Sequence, residues 1–253
     1  GIQSHGRARS NIAFSRDAGK SWQPAETMPH PDSKHGFIAV SSNGESWIWT
    51  PQDSKPFLTQ NKGITWLECA NLPINTPVIA DKVNPEIFYD MDLFDKKLFV
   101  SLNGGIDFIE ETLNLPSDYY PKKGNRGDSR GGQDHIYSTP GKENDLWIAA
   151  FDGLFHKNAE DTYFKRTEGI NEIQGFGFGK AAPRVNYPAL YLIGVVDSTR
   201  GIFRSDNWGT DWIQINDENH QWGLLLHITG DPKRYGRVYI GTHGRGIIYG
   251  DPE

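Results

Sequence analysis

The stretch Ser205-Asp206-Asn207-Trp208-Gly209-Thr210-Asp211-Trp212 indicates the fold of this 253-residue chain. It has the form Ser/Thr-x-Asp/Asn-x-Gly-x-x-aromatic, which we call the box. In such a turn the Asp or Asn side chain binds backbone amides, the glycine takes a positive φ, and the aromatic packs between neighbouring sheets. The stretch therefore predicts a hairpin turn between two strands.

The box recurs along the chain. Four copies begin at Ser15, Thr59, Ser101 and Ser205, and a fifth, beginning at Lys157, keeps only the aromatic. The intervals between starts are 44, 42, 56 and 48 residues. Repeats of about 40–50 residues with four strands each are typical of propeller blades. We expect the box aromatics to lie in the core: Trp22, Trp66, Phe108 and Trp212.

The pattern predicts an all-β fold, a β-propeller with Asp-box repeats and about five four-stranded blades. Short runs rich in β-branched and aromatic residues, such as Phe37–Val40 and Phe176–Phe178, predict the other strands. About 21 strands result, in a single propeller domain or a partial propeller spanning 1–253. Either the ends interlock into a small closed ring, or the chain is part of a larger ring. The blades fall at roughly 11–35, 36–70, 77–111, 134–166, 175–215 and 224–250.

Composition excludes several kinds of partner. The chain has 26 basic and 32 acidic residues, a net charge of −6, which argues against a nucleic-acid or anionic-membrane surface. No run of 18 apolar residues predicts a membrane helix. Cys69 stands alone, so neither an intrachain disulfide nor a cysteine metal site is expected. Composition leaves the cellular compartment open, and a neutral ligand remains possible.

The loop Thr112–Gly132 is unusually long, and loops of this length are commonly functional or disordered. Its pair Tyr119 and Tyr120 could stack on sugar rings. Its glycines and charges are equally typical of a mobile surface loop.

A second loop, 216–223, contains His220, Gln221 and Trp222 at the mouth of an inner strand. Carbohydrate sites combine a flat aromatic with polar groups for hydroxyls, and this loop offers both. The alternative is that Trp222 fills the interface between two blades. We single out His220, Gln221, Trp222, Tyr119 and Tyr120 as candidate substrate-binding residues.

Catalytic residues are not identifiable from the sequence. A glycosidase needs two carboxyl groups at a defined separation, one of them kept protonated. Carboxylates in suitable loops match no motif that pairs them. His227 and His243 have no metal-ligand spacing with other residues, so no metal and no cofactor are expected. The carboxylates concerned are Asp128, Asp134, Asp152, Asp217 and Glu218.

Several further motifs resemble one family. The C-terminal run 230–252, which includes Gly241-Thr242-His243-Gly244-Arg245-Gly246, resembles the end of catalytic regions in glycoside hydrolase family 74. So do the segments 178–183, 187–191, 83–89 and 216–223. The likeness extends, with the boxes in order, over nearly the whole chain.

The resemblance implies a secreted xyloglucanase, endo-acting or reducing-end-specific, that inverts configuration with two aspartates and no cofactor. Family members have two seven-bladed propellers with the glucan in the cleft between them. This chain corresponds to the C-terminal part of the second propeller, about its last five blades, so a missing N-terminal propeller is the expected partner. The segments that carry the catalytic aspartates have no match here. Asp81 lies in a superficially similar segment of a later repeat, and we do not transfer the role to it.

Three functions follow from these observations. The first is part of a xyloglucan-degrading hydrolase that forms one wall of its cleft and binds xyloglucan or other plant β-glucan oligosaccharides. The second is a lectin-like propeller that binds glycans without catalysis, and the third is a structural propeller. A sialidase also carries boxes, but no early Arg-Ile-Pro-type strand is present for its arginine triad.

Overall fold

Regular structure in the described residues is entirely β. The computed structural model describes residues 11–220 and 222–252, and this part of the chain has 21 strands and no helix. It accordingly holds no helix that could cross a membrane. In each sheet, strands adjacent in sequence pair antiparallel in the meander typical of propeller blades. The predicted all-β fold with propeller blades is confirmed.

The described chain divides into two compact units whose boundary lies between Leu113 and Asn114. The first unit holds three sheets. The first sheet pairs β1 (Ala13–Phe14) with β2 (Gln23–Pro24). The second contains β3 (Phe37–Val40), β4 (Trp47–Thr50), β5 (Phe57–Thr59) and β6 (Leu67–Glu68). The third contains β7 (Ile79–Ala80), β8 (Phe88–Asp92), β9 (Lys97–Ser101) and β10 (Ile109–Thr112).

The second unit also holds three sheets. The fourth sheet contains β11 (His135–Ser138), β12 (Leu146–Ala150), β13 (Gly153–Lys157) and β14 (Lys165–Thr167). The fifth contains β15 (Ile170–Gly179), β16 (Ala189–Val196), β17 (Thr199–Ser205) and β18 (Ile213–Gln214). The sixth contains β19 (Leu225–Gly230), β20 (Val238–Thr242) and β21 (Ile247–Gly250).

Each unit buries its apolar side chains between successive sheets. In the first unit, Ile48 and Leu58 of the second sheet pack with Phe88 and Phe99 of the third. In the second unit, Trp147 of the fourth sheet packs with Leu190 and its neighbours on the fifth. The lone thiol, Cys69, is fully buried in the first unit's core, and burial raises its pKa to about 12.

The four complete boxes form the predicted hairpin turns. In each, the first side chain accepts a hydrogen bond from the glycine N–H, as Ser205 does from Gly209 at 3.0 Å. The Asp or Asn side chain accepts one from the seventh residue, as Asn207 does from Asp211 at 2.9 Å. The same bonds occur in the boxes that begin at Ser15, Thr59 and Ser101.

The box aromatics do not all lie in the core. Phe108 is fully buried, whereas Trp66 and Trp212 are half-buried. The prediction for Trp22 is wrong, because its side chain is 49% exposed. The first sheet has two strands in the described residues, so Trp22 lines a cavity of about 650 Å³ with Phe14 and other side chains instead of packing between complete sheets.

Strand β15 is much longer than the predicted Phe176–Phe178. It extends back to Ile170 through two irregularities in its pairing with β16. Its glycines allow the backbone of β19 to approach closely, since a Cβ at Gly177 would lie 2.3 Å from the carbonyl oxygen of Ile228. The close approach explains why this segment alternates Gly with larger residues.

Candidate functional site

The loop that joins β18 to β19 lines a groove in the second unit. His220 and Trp222 lie in a groove of about 380 Å³ with Asn216 and Asp217. Gln221 lies outside the described residues. The opposite wall comes from β20 and from the residues after β21, including Val238 and Pro252.

Hydrogen bonds within the loop hold its polar groups in place. The His220 Nδ1 atom lies 2.6 Å from Asp217 Oδ1, and the Asn216 amide donates to the His220 carbonyl at 3.2 Å. The hydrogen bond with His220 lowers the pKa of the Asp217 carboxyl. The His220 ring centroid is 5.4 Å from that of Trp222, so the imidazole and the indole lie side by side.

Trp222 has features of both a sugar-binding residue and a residue that fills the interface between two blades. It packs against the buried cluster of the fifth and sixth sheets together with Ile215 and Tyr235. It is nevertheless only half-buried, and its indole N–H has no hydrogen-bond partner among the described residues. Part of the ring is therefore structural, and an edge with a donor group remains available at the groove.

The two candidate tyrosines of the long loop have different environments. Tyr119 is 4% exposed, and its ring centroid lies 4.5 Å from that of Phe155. Its hydroxyl donates a hydrogen bond to Asp152 at 2.6 Å. Its faces are covered by protein, so Tyr119 cannot offer a stacking surface to a sugar in this conformation. Tyr120 is 73% exposed. Of the two tyrosines, Tyr120 therefore remains the candidate for a stacking contact with a sugar in this loop.

A charged cluster anchors the long loop to the fourth sheet. The Arg126 guanidinium donates to both oxygens of Asp134, at 2.7 and 2.6 Å, and contacts Asp152 at 3.2 Å. It also donates to the carbonyl of Lys122 at 2.7 Å. Burial raises the pKa of Asp152, but hydrogen bonds from Arg126 and Tyr119 outweigh it and the net pKa is lowered. The cluster gives much of this loop a defined conformation.

The carboxylates singled out by the sequence are engaged in ion pairs or exposed. Arg126 binds Asp134 and Asp152, and Arg130 binds Asp128. Asp217 pairs with His220, and Glu218 is exposed. The described residues contain no cluster of His, Cys, Asp and Glu suited to a metal ion. The pKa values of Asp128, Asp152 and Asp217 are all lowered, which favours the charged form and disfavours the role of a general acid.

A raised carboxyl pKa occurs instead at Asp90 on β8. Burial raises the pKa of Asp90 to about 7, and its side chain is 2% exposed. Its Oδ1 atom has no hydrogen-bond partner among the described residues. A carboxyl that substrate cannot reach is not a candidate general acid.

Asp81, to which we did not transfer the catalytic role, holds a hairpin turn in place through its hydrogen bonds. Its Oδ1 accepts the backbone N–H groups of Val83 and Asn84, and Tyr89 donates to Oδ2 at 3.2 Å. Asp231 makes the same set of bonds, with Tyr239 eight residues later donating at 3.0 Å. In both hairpins a Tyr follows the Asp by eight residues. This repeated spacing is visible in the sequence, and the analysis of the boxes did not use it.

A buried polar cluster lies between the fourth and fifth sheets. The Asp145 Oδ1 atom accepts from Thr139 at 2.5 Å and from Tyr187 at 2.7 Å, and lies 3.0 Å from His156 Nε2. Trp147 donates its indole N–H to the Tyr187 hydroxyl at 2.8 Å. Burial raises the pKa of Asp145, but hydrogen bonds with His156, Thr139 and Tyr187 lower it by more, so the net shift of the pKa is downward.

Comparison with known proteins shows which enzymes this chain is similar to. The chain is 37% identical over 249 residues to a xyloglucanase of Paenibacillus, and 38% identical over 244 residues to a xyloglucanase of Acetivibrio thermocellus. These alignments cover 96% and 95% of the chain. The chain is homologous to the family 74 glycoside hydrolases. No family model matches the chain.

A solved structure supports the same relationship with family 74. The family 74 xyloglucanase of Xanthomonas campestris superposes with a TM-score of 0.83 at 29% identity, and the match covers 100% of this chain. It covers 34% of the Xanthomonas chain, and this sequence spans about a quarter of the curated Paenibacillus and Acetivibrio relatives. The predicted resemblance to family 74 is confirmed, and the similarity concerns part of those longer enzymes.

Proposed function

We propose that this chain is part of a secreted, inverting glycoside hydrolase that degrades xyloglucan, and that it forms one wall of the glucan cleft. The identity of 37–38% to proteins named xyloglucanase, over 95% or more of the chain, carries this proposal. The ligand is xyloglucan or a related plant β-glucan oligosaccharide. The expected partner is an N-terminal propeller of the same enzyme.

The chemistry of the described residues is consistent with binding rather than proton transfer. An inverting hydrolase needs one protonated carboxyl and one carboxylate on opposite sides of the scissile bond. The loop carboxyls described above are ion-paired or, in the case of Glu218, exposed to solvent, so we place the catalytic pair in the remainder of the enzyme. This chain supplies the groove with His220 and Trp222.

A lectin-like function is the second candidate. The ion-paired carboxylates favour it, because a glycan-binding propeller needs no acid and base. The two candidates share the His220–Trp222 groove but differ in whether the chain acts within a hydrolase. Hydrolysis by the complete enzyme distinguishes them.

Substitution of Trp222→Ala tests the sugar contact. We expect about fivefold weaker binding of a xyloglucan heptasaccharide, since one aromatic contact contributes about 1 kcal/mol. Isothermal titration calorimetry measures the affinity, and Tyr120→Ala serves as a comparison in the other candidate loop. Unchanged affinity with a lowered melting temperature would assign Trp222 wholly to the core.

A further inference from the structure

Trp208 presents an aromatic face to solvent on the turn after β17. Its side chain is 51% exposed. The indole stacks on Tyr187 with 4.3 Å between ring centroids and 15° between ring planes. One face therefore rests on Tyr187, and the other faces water.

The tyrosine beneath Trp208 is held rigidly. Tyr187 is 2% exposed, and its hydroxyl donates to Asp145 while accepting from Trp147. These bonds fix the plane of the Tyr187 ring and thereby the orientation of the indole above it. A pre-positioned aromatic loses little conformational freedom when a ligand binds.

The fold of the turn does not account for a tryptophan here. The equivalent position in the other complete boxes holds Ala18, Lys62 and Gly104, with φ of 58°, 62° and 75°. Trp208 has a φ of 66°, a left-handed conformation that a bulky side chain adopts with strain. The turn therefore forms equally with a small or a charged residue, so the indole needs another explanation.

The indole N–H of Trp208 is also available. Among the described residues, only Trp208 and Trp222 have an indole N–H without a hydrogen-bond partner, and Trp222 is the tryptophan of the candidate groove. The other six donate to the protein: Trp22 to Gly19, Trp47 to Gly44, Trp49 to His35, Trp66 to Thr27, Trp147 to Tyr187 and Trp212 to Gly209.

The surroundings of Trp208 define the ligand class. Asp206 and Asp211 flank it in the same turn and disfavour an anion. The cavity of about 280 Å³ that Tyr187 lines with Asn186, Lys142 and Lys180 does not include Trp208 in its lining, so the indole face is an open surface and not the wall of that cavity. A flat apolar face that carries its own N–H donor for a hydroxyl group is a combination that binds a neutral pyranose ring.

We infer that Trp208 is a second carbohydrate-binding site, which holds a β-glucan chain by stacking one sugar ring on the Trp208–Tyr187 pair. The choice of β-glucan rests on the proposed function. The site is separate from the His220–Trp222 groove, because the box turn follows β17 whereas that loop follows β18 at the other end of the hairpin.

Side-chain NMR of the full chain tests the second site directly. The ¹⁵N-indole signals of Trp208 and Trp222 are assigned from Trp208→Ala and Trp222→Ala, and xyloglucan heptasaccharide is titrated. We expect the Trp208 signal to shift, and Trp208→Ala to weaken binding at this site about fivefold. The turn tolerates alanine, since Ala18 occupies the position in the first box. Trp22→Ala is the matched control, because Trp22 is equally exposed but its N–H is bonded.

The outcomes separate this inference from the proposed function. A shift of the Trp222 signal with none at Trp208 would overturn the second site and leave the groove intact. A shift at Trp208 alone would support the second site and contradict the sugar contact at Trp222. Absence of both shifts would contradict both sites.

Discussion

Asp90 is buried on β8 and forms no ion pair with any residue that the structure describes, which is energetically unusual for a carboxyl. Burial is the largest cause of its raised pKa, and the nearby charge of Asp92 adds to it. Hydrogen bonds involving Met91 and Thr76 act in the opposite direction without compensating. The folded protein therefore favours the protonated form of this side chain.

Replacement of Asp90 by Asn should remove a pH dependence of stability. The folded pKa of about 7 exceeds the ordinary value of 3.8, so the folded state loses stability as pH rises from about 4 to about 7. We expect Asp90→Asn to stabilise the protein by about 2–4 kcal/mol at pH 8 and to have little effect at pH 4. Urea unfolding at both pH values measures this, with exposed Asp95→Asn as control. Equal effects at both pH values would contradict the assignment.

At the scale of an element, the long loop between β10 and β11 depends on its own charges. Arg126 is 10% exposed and joins the loop to Asp134 and Asp152, which are 25% and 8% exposed. Arg130, farther along, is 59% exposed and pairs with Asp128. The two arginines thus offer a buried and an exposed ion pair in one loop.

Replacement of Arg126 by Met should loosen this loop. Removal of one partner leaves Asp134 and Asp152 uncompensated, at a cost of about 2–4 kcal/mol. We expect faster tryptic cleavage after Lys122 and Lys123 and a lower melting temperature. Arg130→Met is the control, because an exposed pair contributes about 0–1 kcal/mol. Equal protease resistance of both variants would show that the Arg126 cluster does not hold the loop.

Local turn chemistry was predictable from sequence, whereas side-chain burial was not. The hydrogen bonds of each box join residues within the same eight-residue segment, so the pattern alone was sufficient to predict the hairpins. The exposure of Trp22 and the burial of Tyr119 depend on which sheet or carboxylate lies opposite them in space. The length of β15 depends on the close approach of β19, which no pattern within β15 reveals. The candidate groove was found because loop 216–223 supplies most of its polar groups.

At the scale of the whole molecule, the relatives are hydrolases, whereas the loop carboxyls of the described residues do not form an acid and base pair. The relatives are xyloglucanases, and the chain spans about a quarter of the curated ones from Paenibacillus and Acetivibrio. The loop carboxyls in the described residues are paired with Arg126, Arg130 or His220, or are exposed. Under the proposed function, binding and catalysis are therefore expected to reside in different parts of the enzyme.

The 253-residue chain alone should bind xyloglucan oligosaccharides without hydrolysing them. A reducing-sugar assay with tamarind xyloglucan measures turnover, and a family 74 xyloglucanase provides the positive control. We expect no release above the uncatalysed rate, because the proposed function places the acid and the base in another part of the enzyme. Turnover that matches the control enzyme would place the catalytic pair within this chain.

The fourth position of the box, occupied by Ala18, Lys62, Gly104 and Trp208, offers a site for labelling with a thiol-reactive probe. The single native thiol, Cys69, is buried in the core, and its high pKa keeps it unreactive towards maleimides at neutral pH. The turn tolerates Ala, Lys, Gly or Trp at this position, so a cysteine introduced in place of Lys62 would be the reactive thiol. A fluorophore attached there would report on the second sheet without chemical protection of the rest of the chain.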